Sequence, residues 1–196
     1  MSHYYTNEET PDVPSSFSFE LAGRRFPMKS NAGVFSKDKL DEGTRVLLET
    51  VLQEADGQGP VLDMGCGIGP VAKVIASLWQ VPVTAVDVNE KAAGLARENT
   101  GGLPVTVLVA DGVQGQGYAN ILINPPIRTG KETVYRLLAE CVQALKEQGV
   151  LWIVMRKDHG VKSAMKHLED LGCQVQRVNR DKGFWVLKVS RESQTD

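Results

Sequence analysis

The sequence has the length and composition of one ordinary soluble domain. Its 196 residues carry a net charge of −2 at pH 7, with 42% hydrophobic and 23% charged residues, enough apolar material for a core without disulfides. No apolar run approaches the roughly 20 residues that span a bilayer, and the polar N-terminus does not have the pattern of a secretory signal. We expect a cytoplasmic protein without membrane contact, with a single domain over 1–196 that comprises an N-terminal extension (1–57) and a core (58–190).

The first elements in chain order are a hairpin and a helix. The stretch over about 16–28 predicts a β-hairpin, and the pattern over about 39–55 predicts an amphipathic helix. The apolar face of this helix consists of Val46, Leu47, Leu48, Val51 and Leu52. We expect the first dozen residues and the tail from Arg191 to be disordered.

From Pro60 onward, short β-branched runs alternate with helical patterns. The strand-like runs cover 61–65, 81–88, 103–110, 120–124, 149–155, 173–179 and 183–189. The helical patterns cover 70–79, 89–99, 130–147 and 159–171, with Asn89 and Asp158 as caps and with Gly149 and Gly172 at helix C-termini. Strands that alternate with helices predict right-handed βαβ units and a mainly parallel sheet.

The link between the last two strand-like runs is too short for a parallel crossover. These two strands should therefore form an antiparallel hairpin. The predicted fold is α/β and Rossmann-like, with a seven-stranded, mostly parallel sheet that ends in this hairpin and has helices on both faces. Such an ending distinguishes the predicted sheet from the ordinary dinucleotide-binding fold.

A glycine-rich loop, Asp63-Met-Gly-Cys-Gly-Ile-Gly69, follows the first strand of the alternation and opens a helix. Glycines at such a point allow sharp turns and a close approach of the backbone to a ligand. Asp87 ends the second strand, and Asp111 lies just past the third. Because the carboxyl ends of parallel strands meet in one crevice, these acids predict a nucleoside site in which Asp87 binds a ribose diol. Pro70 departs from the NAD fingerprint and disfavours an NAD-dependent oxidoreductase.

This order of motifs resembles the class I S-adenosylmethionine-dependent methyltransferases over about residues 33–190. The cofactor contacts that the resemblance implies are Asp63, Gly65, Cys66, Gly67 and Gly69 in the loop, Asp87, Val88 and Asn89 after the second strand, Asp111 and Gly112 after the third, and Asn124. The loop backbone would lie against the methionine part of the cofactor and Asp63 would hold its amino group. Asp87 would bind the ribose, and Asp111 would reach the adenine amino group. The core over 58–190 would then be the cofactor-binding, catalytic part of the chain.

The tetrapeptide Asn124-Pro125-Pro126-Ile127 ends the fourth strand and points into the same crevice. An exocyclic amine has a delocalised lone pair, so it needs hydrogen-bond acceptors rather than a strong base. The Asn124 side-chain oxygen and the Pro125 carbonyl can both accept from such an amine and aim its lone pair at the sulfonium methyl. Proline fixes φ and contributes no competing N–H. We therefore predict that these four residues are catalytic.

The N-P-P-x motif is similar to that of amino-nitrogen methyltransferases that act on adenine, cytosine, guanine or glutamine side chains. Ile127 stands where many of them have an aromatic residue that stacks on a flipped base, and Phe35 is our candidate replacement. Together with Gly33-Val34-Phe35-Ser36 and Leu40-Asp41, the motif resembles the small-domain methyltransferase (MTS) family, which includes the RsmC-type 16S ribosomal RNA guanine-N2 methyltransferases. The resemblance implies methylation of guanine N2 in 16S rRNA, with ribosomal RNA or the small ribosomal subunit as partner.

Other acceptors remain open: a protein glutamine amide, or adenine N6 in a nucleic acid. Asn124 disfavours a further alternative, in which the chain is a binding protein that keeps the fold but transfers no methyl group.

Basic residues lie before the core and after the tetrapeptide 124–127, which we call the acceptor motif. They are Arg24, Arg25, Lys29, Lys37 and Lys39 before the core, and Arg128, Lys131 and Arg136 after the motif. Such residues can neutralise RNA phosphates or be ordinary surface charge. Arg128 is our candidate substrate contact.

The cysteines and histidines show no spacing typical of a metal site. Cys66, Cys141 and Cys173 are odd in number and lack C-x-x-C spacing, which predicts buried, reduced thiols and no metal. His3, His159 and His167 are assigned surface or capping roles. Trp152, Phe184 and Trp185 are assigned to the core. We expect a monomer or a homodimer.

Overall fold

A computed structural model of the protein describes residues 11–32, 34 and 39–193. The described chain begins with an antiparallel hairpin of β1 (Pro14–Leu21) and β2 (Arg24–Asn31), followed by the helix α1 (Glu42–Glu54). The predicted hairpin and helix are therefore confirmed, with slightly different ends. Most of the N-terminal segment that we expected to be disordered lies outside the described residues.

The remaining elements alternate as the sequence predicts. In chain order they are β3 (Val61–Met64), α2 (Pro70–Trp79), β4 (Val83–Asp87), α3 (Glu90–Asn99), β5 (Val105–Val109), β6 (Tyr118–Ile123), α4 (Lys131–Ala144), β7 (Leu145–Arg156), α5 (Val161–Asp170), β8 (Cys173–Asp181) and β9 (Phe184–Arg191). No helix within these described ranges is long and apolar enough to cross a membrane.

The core strands form one seven-stranded sheet in the order β5-β4-β3-β6-β7-β9-β8. The pairs from β5 to β7 are parallel, whereas β9 is antiparallel to both β7 and β8. The predicted fold class is thus confirmed, and β9 lies between β7 and β8. This order places the carboxyl ends of β3, β4 and β6 side by side, and the loops that follow these strands form the candidate site.

Alternation along the strands produces two cores, one on each face of the sheet. In β3, Val61 belongs to a cluster with α1, α2 and α3, whereas Leu62 belongs to a cluster with α4 and α5. The hairpin β1–β2 also packs into the first cluster, through Phe19 and Phe26. The period of two in the strands and the apolar stripe of each helix account for this layering.

Two of the predicted helix ends are wrong. Helix α4 ends at Ala144, because Leu145 already pairs with Tyr118 at the start of β7. Gly149 consequently lies inside β7, where a Cβ atom would be 2.6 Å from the Tyr118 carbonyl oxygen. Because Gly149 has no side chain, β6 and β7 can approach closely at this point; the residue does not mark the end of a helix.

The caps give a mixed result. Asp158 lies in a 3₁₀ turn, and Gly160 caps α5, so the predicted cap at Asp158 is wrong. Asn89 caps α3 by accepting from the Ala92 N–H at 2.9 Å, as predicted. Gly172 follows α5 with a φ of +82°, also as predicted.

The predicted disorder of the tail from Arg191 needs a correction. Arg191 is the last residue of β9, and its guanidinium donates to the Leu145 carbonyl. The sheet thus continues one residue past the predicted core, and residues 194–196 lie outside the described residues. All three cysteines are buried free thiols, as expected.

Candidate active site

Two cavities adjoin at the carboxyl ends of β3, β4 and β6. The first has a volume of about 420 Å³ and extends from the loop after β3 toward the turn before β9. The second has a volume of about 160 Å³ and lies against the ends of β4 and β6 and the connection after β5. Gly65 and Asn124 line both cavities, so these two residues mark the boundary between them.

The glycine-rich loop forms one wall of each cavity. Gly65 and Gly67 have φ values of +74° and +55°, a region that glycine adopts without steric cost. The N–H groups of Gly65 and Cys66 donate to the Val86 carbonyl at 2.8 and 2.9 Å. A Cβ atom at Gly65 would meet no atom of the described residues within 4 Å. The loop is therefore held tightly against β4, and among the described residues there is room beside Gly65.

Gly69 has a packing role that the sequence did not predict. Its φ is +92°, and a Cβ atom there would lie 3.2 Å from both Cα and Cβ of Ala96 in α3. Gly69 is also absent from the linings of the two cavities. The residue allows α3 to approach the start of α2, so its effect on a cofactor would be indirect.

Asp63 is a buried carboxyl at the base of the first cavity. Only 4% of the residue is exposed, and its Oδ2 accepts from the Ala72 N–H at 3.1 Å. Burial, with a smaller contribution from the charge of Asp87, raises the pKa of Asp63 to about 7. A cationic ligand group placed beside Asp63 would favour its ionised form.

Asp87 connects the loop to the end of β4. Its Oδ2 accepts from the Gly67 N–H at 2.8 Å and its Oδ1 from the Asn89 N–H at 2.9 Å. The carboxylate thus holds backbone N–H groups of both the loop and the start of α3. Asp87 and Val88 line the second cavity, whereas Asn89 caps α3 and is outside both linings.

Asp111 and Gly112 form the far wall of the second cavity. The Asp111 side chain is exposed and paired at 3.0 Å with Arg136, which also binds Glu140 at 2.7 Å. A Cβ atom at Gly112 would lie 2.6 Å from a Glu140 carboxylate oxygen. Arg136 thus pairs with the wall residue Asp111 and lines neither cavity, although we expected it near a substrate.

The acceptor motif lies where the two cavities adjoin. Asn124 is half-buried, while Pro125 and Pro126 are buried. The Pro125 carbonyl accepts from the Ile127 N–H at 2.9 Å and retains one lone pair. The side-chain NH₂ of Asn124 donates to Asp41 Oδ2 at 3.1 Å. The Pro125 carbonyl and the side-chain oxygen of Asn124 can therefore each accept a hydrogen bond from a substrate amine.

The structure brings together most of the predicted site residues. The first cavity is lined by Asp63, Gly65, Cys66, Gly67, Asn124, Pro125, Ile127 and Arg128. The second is lined by Gly65, Asp87, Val88, Asp111, Gly112, Asn124 and Pro126. Phe35, the predicted stacking residue, lies outside the described residues.

The structure also shows site residues that the sequence reasoning missed. Phe184 packs against the first core cluster, as predicted, but it is only half-buried and also lines the first cavity, with the Arg156 guanidinium 5.0 Å from its ring centroid. Asp41 was noted only as part of the resemblance, and His159 was assigned a surface or capping role; both line the same cavity. The one available signal was the Leu40-Asp41 pair before a helix, which is typical of an N-cap. Trp152 lies in the core, as predicted.

The cations near the first cavity differ from the predicted set. Lys39, Arg128 and Arg156 line it, and only the first two were predicted. Arg25 and Lys29 line a separate depression between the hairpin and helices α2 and α3. Lys37 lies outside the described residues. The first cavity is thus lined by three cationic side chains and by the carboxyl groups of Asp41 and Asp63, and the cationic side chains can attract a negatively charged substrate.

Comparison with known proteins gives a consistent family. The profile of the methyltransferase small domain matches residues 25–188. The chain is 36% identical to the uncharacterised protein YbxB of Bacillus subtilis, over 96% of this chain and 98% of that protein. It is 34% identical to the ribosomal RNA large subunit methyltransferase G of Streptomyces avermitilis, over 88% of this chain and 47% of that protein.

A solved structure shows the same fold. The T. thermophilus 16S rRNA N2 guanine methyltransferase RsmC, in complex with AdoMet and guanosine, superimposes with a TM-score of 0.79 at 19% identity. The match covers 94% of this chain and 52% of that one. The chain thus spans nearly all of YbxB but about half the length of the named ribosomal RNA methyltransferases that it matches.

Proposed function

Because the chain belongs to the methyltransferase small domain family, we propose that it methylates the exocyclic N2 amino group of a guanine in ribosomal RNA, with 16S rRNA as the first target to test. Its cofactor is S-adenosylmethionine. The observation that carries the proposal is the position of Asn124, which lines both cavities and donates its NH₂ group to Asp41. Its oxygen is therefore available to an amine at the place where a methyl donor and an acceptor would meet.

The residues of the site fit this cofactor. The second cavity has the buried Asp87 carboxylate for ribose hydroxyls and the connection after β5 beside it for adenine. The open space at Gly65 suits the methionine part, and Asp63 suits its ammonium group. The proposed cofactor contacts are thus Asp63, Gly65, Cys66, Gly67, Asp87, Val88, Asp111, Gly112 and Asn124, with Gly69 and Asn89 acting indirectly through the loop and the cap of α3.

The cofactor supplies an electrophilic sulfonium methyl group, and the protein orients the nucleophile. Asn124 Oδ1 and the Pro125 carbonyl accept from the two N–H bonds of the substrate amine, which turns the nitrogen lone pair toward the methyl carbon. With the cofactor bound, its methyl group would pass to this nitrogen, S-adenosylhomocysteine would leave as the thioether, and the nitrogen would lose a proton to water. Because neither acceptor is a strong base, the contribution of the protein is orientation and hydrogen bonding.

The choice of ribosomal RNA is supported by charge and by relatives. Lys39, Arg128 and Arg156 border the first cavity and can neutralise phosphates. The named relatives are methyltransferases of large and small subunit ribosomal RNA, and one was solved with guanosine. A substrate in ribosomal RNA would place the protein in the cytoplasm. Arg128 is our proposed phosphate or base contact.

The test is transfer of a labelled methyl group from S-adenosylmethionine to material from cells that lack the protein. The acceptors are small subunits, large subunits, naked ribosomal RNA and total protein, and nucleoside digestion identifies the product. The Asn124→Ala variant serves as the matched control, because it removes the proposed acceptor for the amine and keeps the contacts of Asp63, Gly65 and Asp87, so that it should still bind the cofactor and transfer little.

Label in N2-methylguanosine would support the proposal and would identify the RNA form that is used. Label in N6-methyladenosine would contradict the guanine target. Label confined to protein would replace the guanine target with a glutamine amide as the proposed acceptor. An Asn124→Ala variant with full turnover would contradict the assigned role of the acceptor motif.

A further inference from the structure

Asp41 lies at the start of α1, directly beside the acceptor motif. Its Oδ2 accepts from the Thr44 N–H at 3.0 Å and from the Thr44 hydroxyl at 3.2 Å, which caps the helix. The same oxygen accepts from Asn124 Nδ2 at 3.1 Å, across 83 positions of sequence. We propose that Asp41 is a positioning residue that fixes the amide of Asn124 with its oxygen toward the substrate amine. This inference rests on the proposed function.

The chemistry of the two groups decides the direction of the amide. An ionised carboxylate only accepts hydrogen bonds, whereas an amide has a donor side and an acceptor side. A half-turn of the Asn124 amide would place its oxygen against Asp41 Oδ2 and remove the hydrogen bond. In a half-buried position this arrangement is unfavourable, because two acceptors would face each other with little water to separate them. Asp41 therefore holds Nδ2 on its own side.

The direction of the amide matters for turnover. With Nδ2 bound by Asp41, Oδ1 lies on the other side of the amide carbon and accepts from the amine. A turned amide would present N–H donors to an amine that is itself a donor, and the nitrogen lone pair would lose its alignment. Binding of the cofactor depends on Asp63, Gly65 and Asp87 instead. The loss of Asp41 should thus lower kcat and leave cofactor affinity nearly unchanged.

The packing of α1 keeps Asp41 in place. A Cβ atom on Gly43 would lie 3.2 Å from Asp41 Oδ2, 3.3 Å from Asn124 Nδ2 and 2.9 Å from Phe184 Cε1. Gly43 is buried, and its missing side chain lets the first turn of α1 approach both the motif and the wall of the cavity. The N-terminal extension is therefore part of the machinery that orients the acceptor.

The experiment separates capping from positioning with two substitutions of the same residue. Asp41→Ser keeps a good helix cap, but its side chain is too short to reach Asn124. Asp41→Asn keeps both contacts, because its amide oxygen can take the position of Oδ2. Glu42→Gln is the matched control, since it removes the exposed ion pair with Lys182 in the same turn and touches no site residue that we assign.

We expect Asp41→Ser to lower kcat by about tenfold to a hundredfold. Its cofactor Kd and its KM for RNA should stay within about threefold of the wild-type values. Asp41→Asn should recover most of the lost turnover, and Glu42→Gln should match the wild type. Wild-type turnover in Asp41→Ser, or an equal loss in Asp41→Asn, would overturn the inference and leave the methyltransferase function standing.

A second measurement does not depend on methyl transfer. The side-chain NH₂ signals of Asn124 in a ¹H–¹⁵N spectrum can be assigned by their absence in Asn124→Ala. These signals should move in Asp41→Ser and stay close to their wild-type positions in Asp41→Asn and Glu42→Gln. Unmoved signals in Asp41→Ser would refute the contact itself, even if no ribosomal RNA were ever methylated.

Discussion

Phe184 shows how a single side chain can change the interpretation of a site. The sequence places it in a strand, where an aromatic residue is expected to pack in the core. In the structure it is the first residue of β9 and lines the first cavity, with Arg156 over its ring. Ile127 provides no aromatic ring at the acceptor motif. Phe17 also lines this cavity, but a Cβ atom on Gly43 would lie 2.9 Å from Phe184 Cε1 and 3.3 Å from Asn124 Nδ2, so Phe184 is our candidate for contact with a planar base.

We predict that Phe184→Leu raises the KM for RNA by about fivefold to a hundredfold, because a stacked base contributes about 1–3 kcal/mol. Phe184→Trp should retain most of the affinity. The matched control is Trp185→Leu, since neighbouring strand residues point to opposite faces and Trp185 packs against the second core. Steady-state kinetics and thermal melting distinguish the two sites. The same rise in KM for both leucine variants would argue against contact between Phe184 and a base.

At the scale of elements, the glycine-rich loop combines two functions that look alike in the sequence. Gly65 and Gly69 both have positive φ values. Gly65 borders open space, whereas Gly69 packs against Ala96 of α3. One glycine leaves room for a ligand, and the other leaves room for a helix.

This difference predicts different effects of alanine at the two positions. Gly69→Ala should lower the free energy of unfolding by about 2–5 kcal/mol, because the backbone conformation costs about 1–2 kcal/mol and overpacking against α3 adds about 1–3 kcal/mol. Gly65→Ala should lower the free energy of unfolding only by the cost of the backbone conformation, but it should weaken cofactor binding strongly. Urea denaturation and calorimetry measure the two quantities. Equal losses of stability would show that the contact between Gly69 and α3 is not tight.

At the scale of the whole molecule, Asp63 links stability to pH. Its pKa rises from 3.8 to about 7 because of burial and the nearby charge of Asp87. Between these values the folded chain keeps a proton that the unfolded chain has released. The free energy of unfolding of the cofactor-free protein should therefore fall as the pH rises through this window. The hydrogen bond from the Ala72 N–H opposes the shift without removing it.

Cofactor binding should show the reverse dependence on pH. An ammonium group beside Asp63 favours the carboxylate, so we predict that the affinity for S-adenosylmethionine rises from pH 6 to pH 7.5, as the carboxyl ionises. Asp63→Asn should flatten this dependence, weaken binding and stabilise the cofactor-free protein at pH 7.5. Titration calorimetry and thermal melting at both pH values provide the test. An affinity that does not change with pH in the wild type would exclude Asp63 as the ammonium contact.

Local pattern and spacing were sufficient to predict much of the architecture. The alternation of strand and helix patterns predicted the seven-stranded sheet, the short link predicted its antiparallel hairpin, and Asn89 was recognised as a cap. The loop from Asp63 to Gly69 and the motif at Asn124 were recognised because each lies within a few residues of a buried strand. These signals are local, since they depend on the period of an element and on the residues at its ends.

The sequence by itself thus determined the fold class and the position of the glycine-rich loop and of the tetrapeptide 124–127 at the strand ends. Only the tertiary structure decided that Asp41 binds Asn124, that Phe184 faces the first cavity and that Arg136 pairs with Asp111. It also decided that Gly69 serves helix packing and that Gly149 lies inside β7. The physical reason is that each of these facts is a contact between elements far apart in the chain. Periodicity and capping patterns determine elements, whereas such contacts depend on how the elements pack.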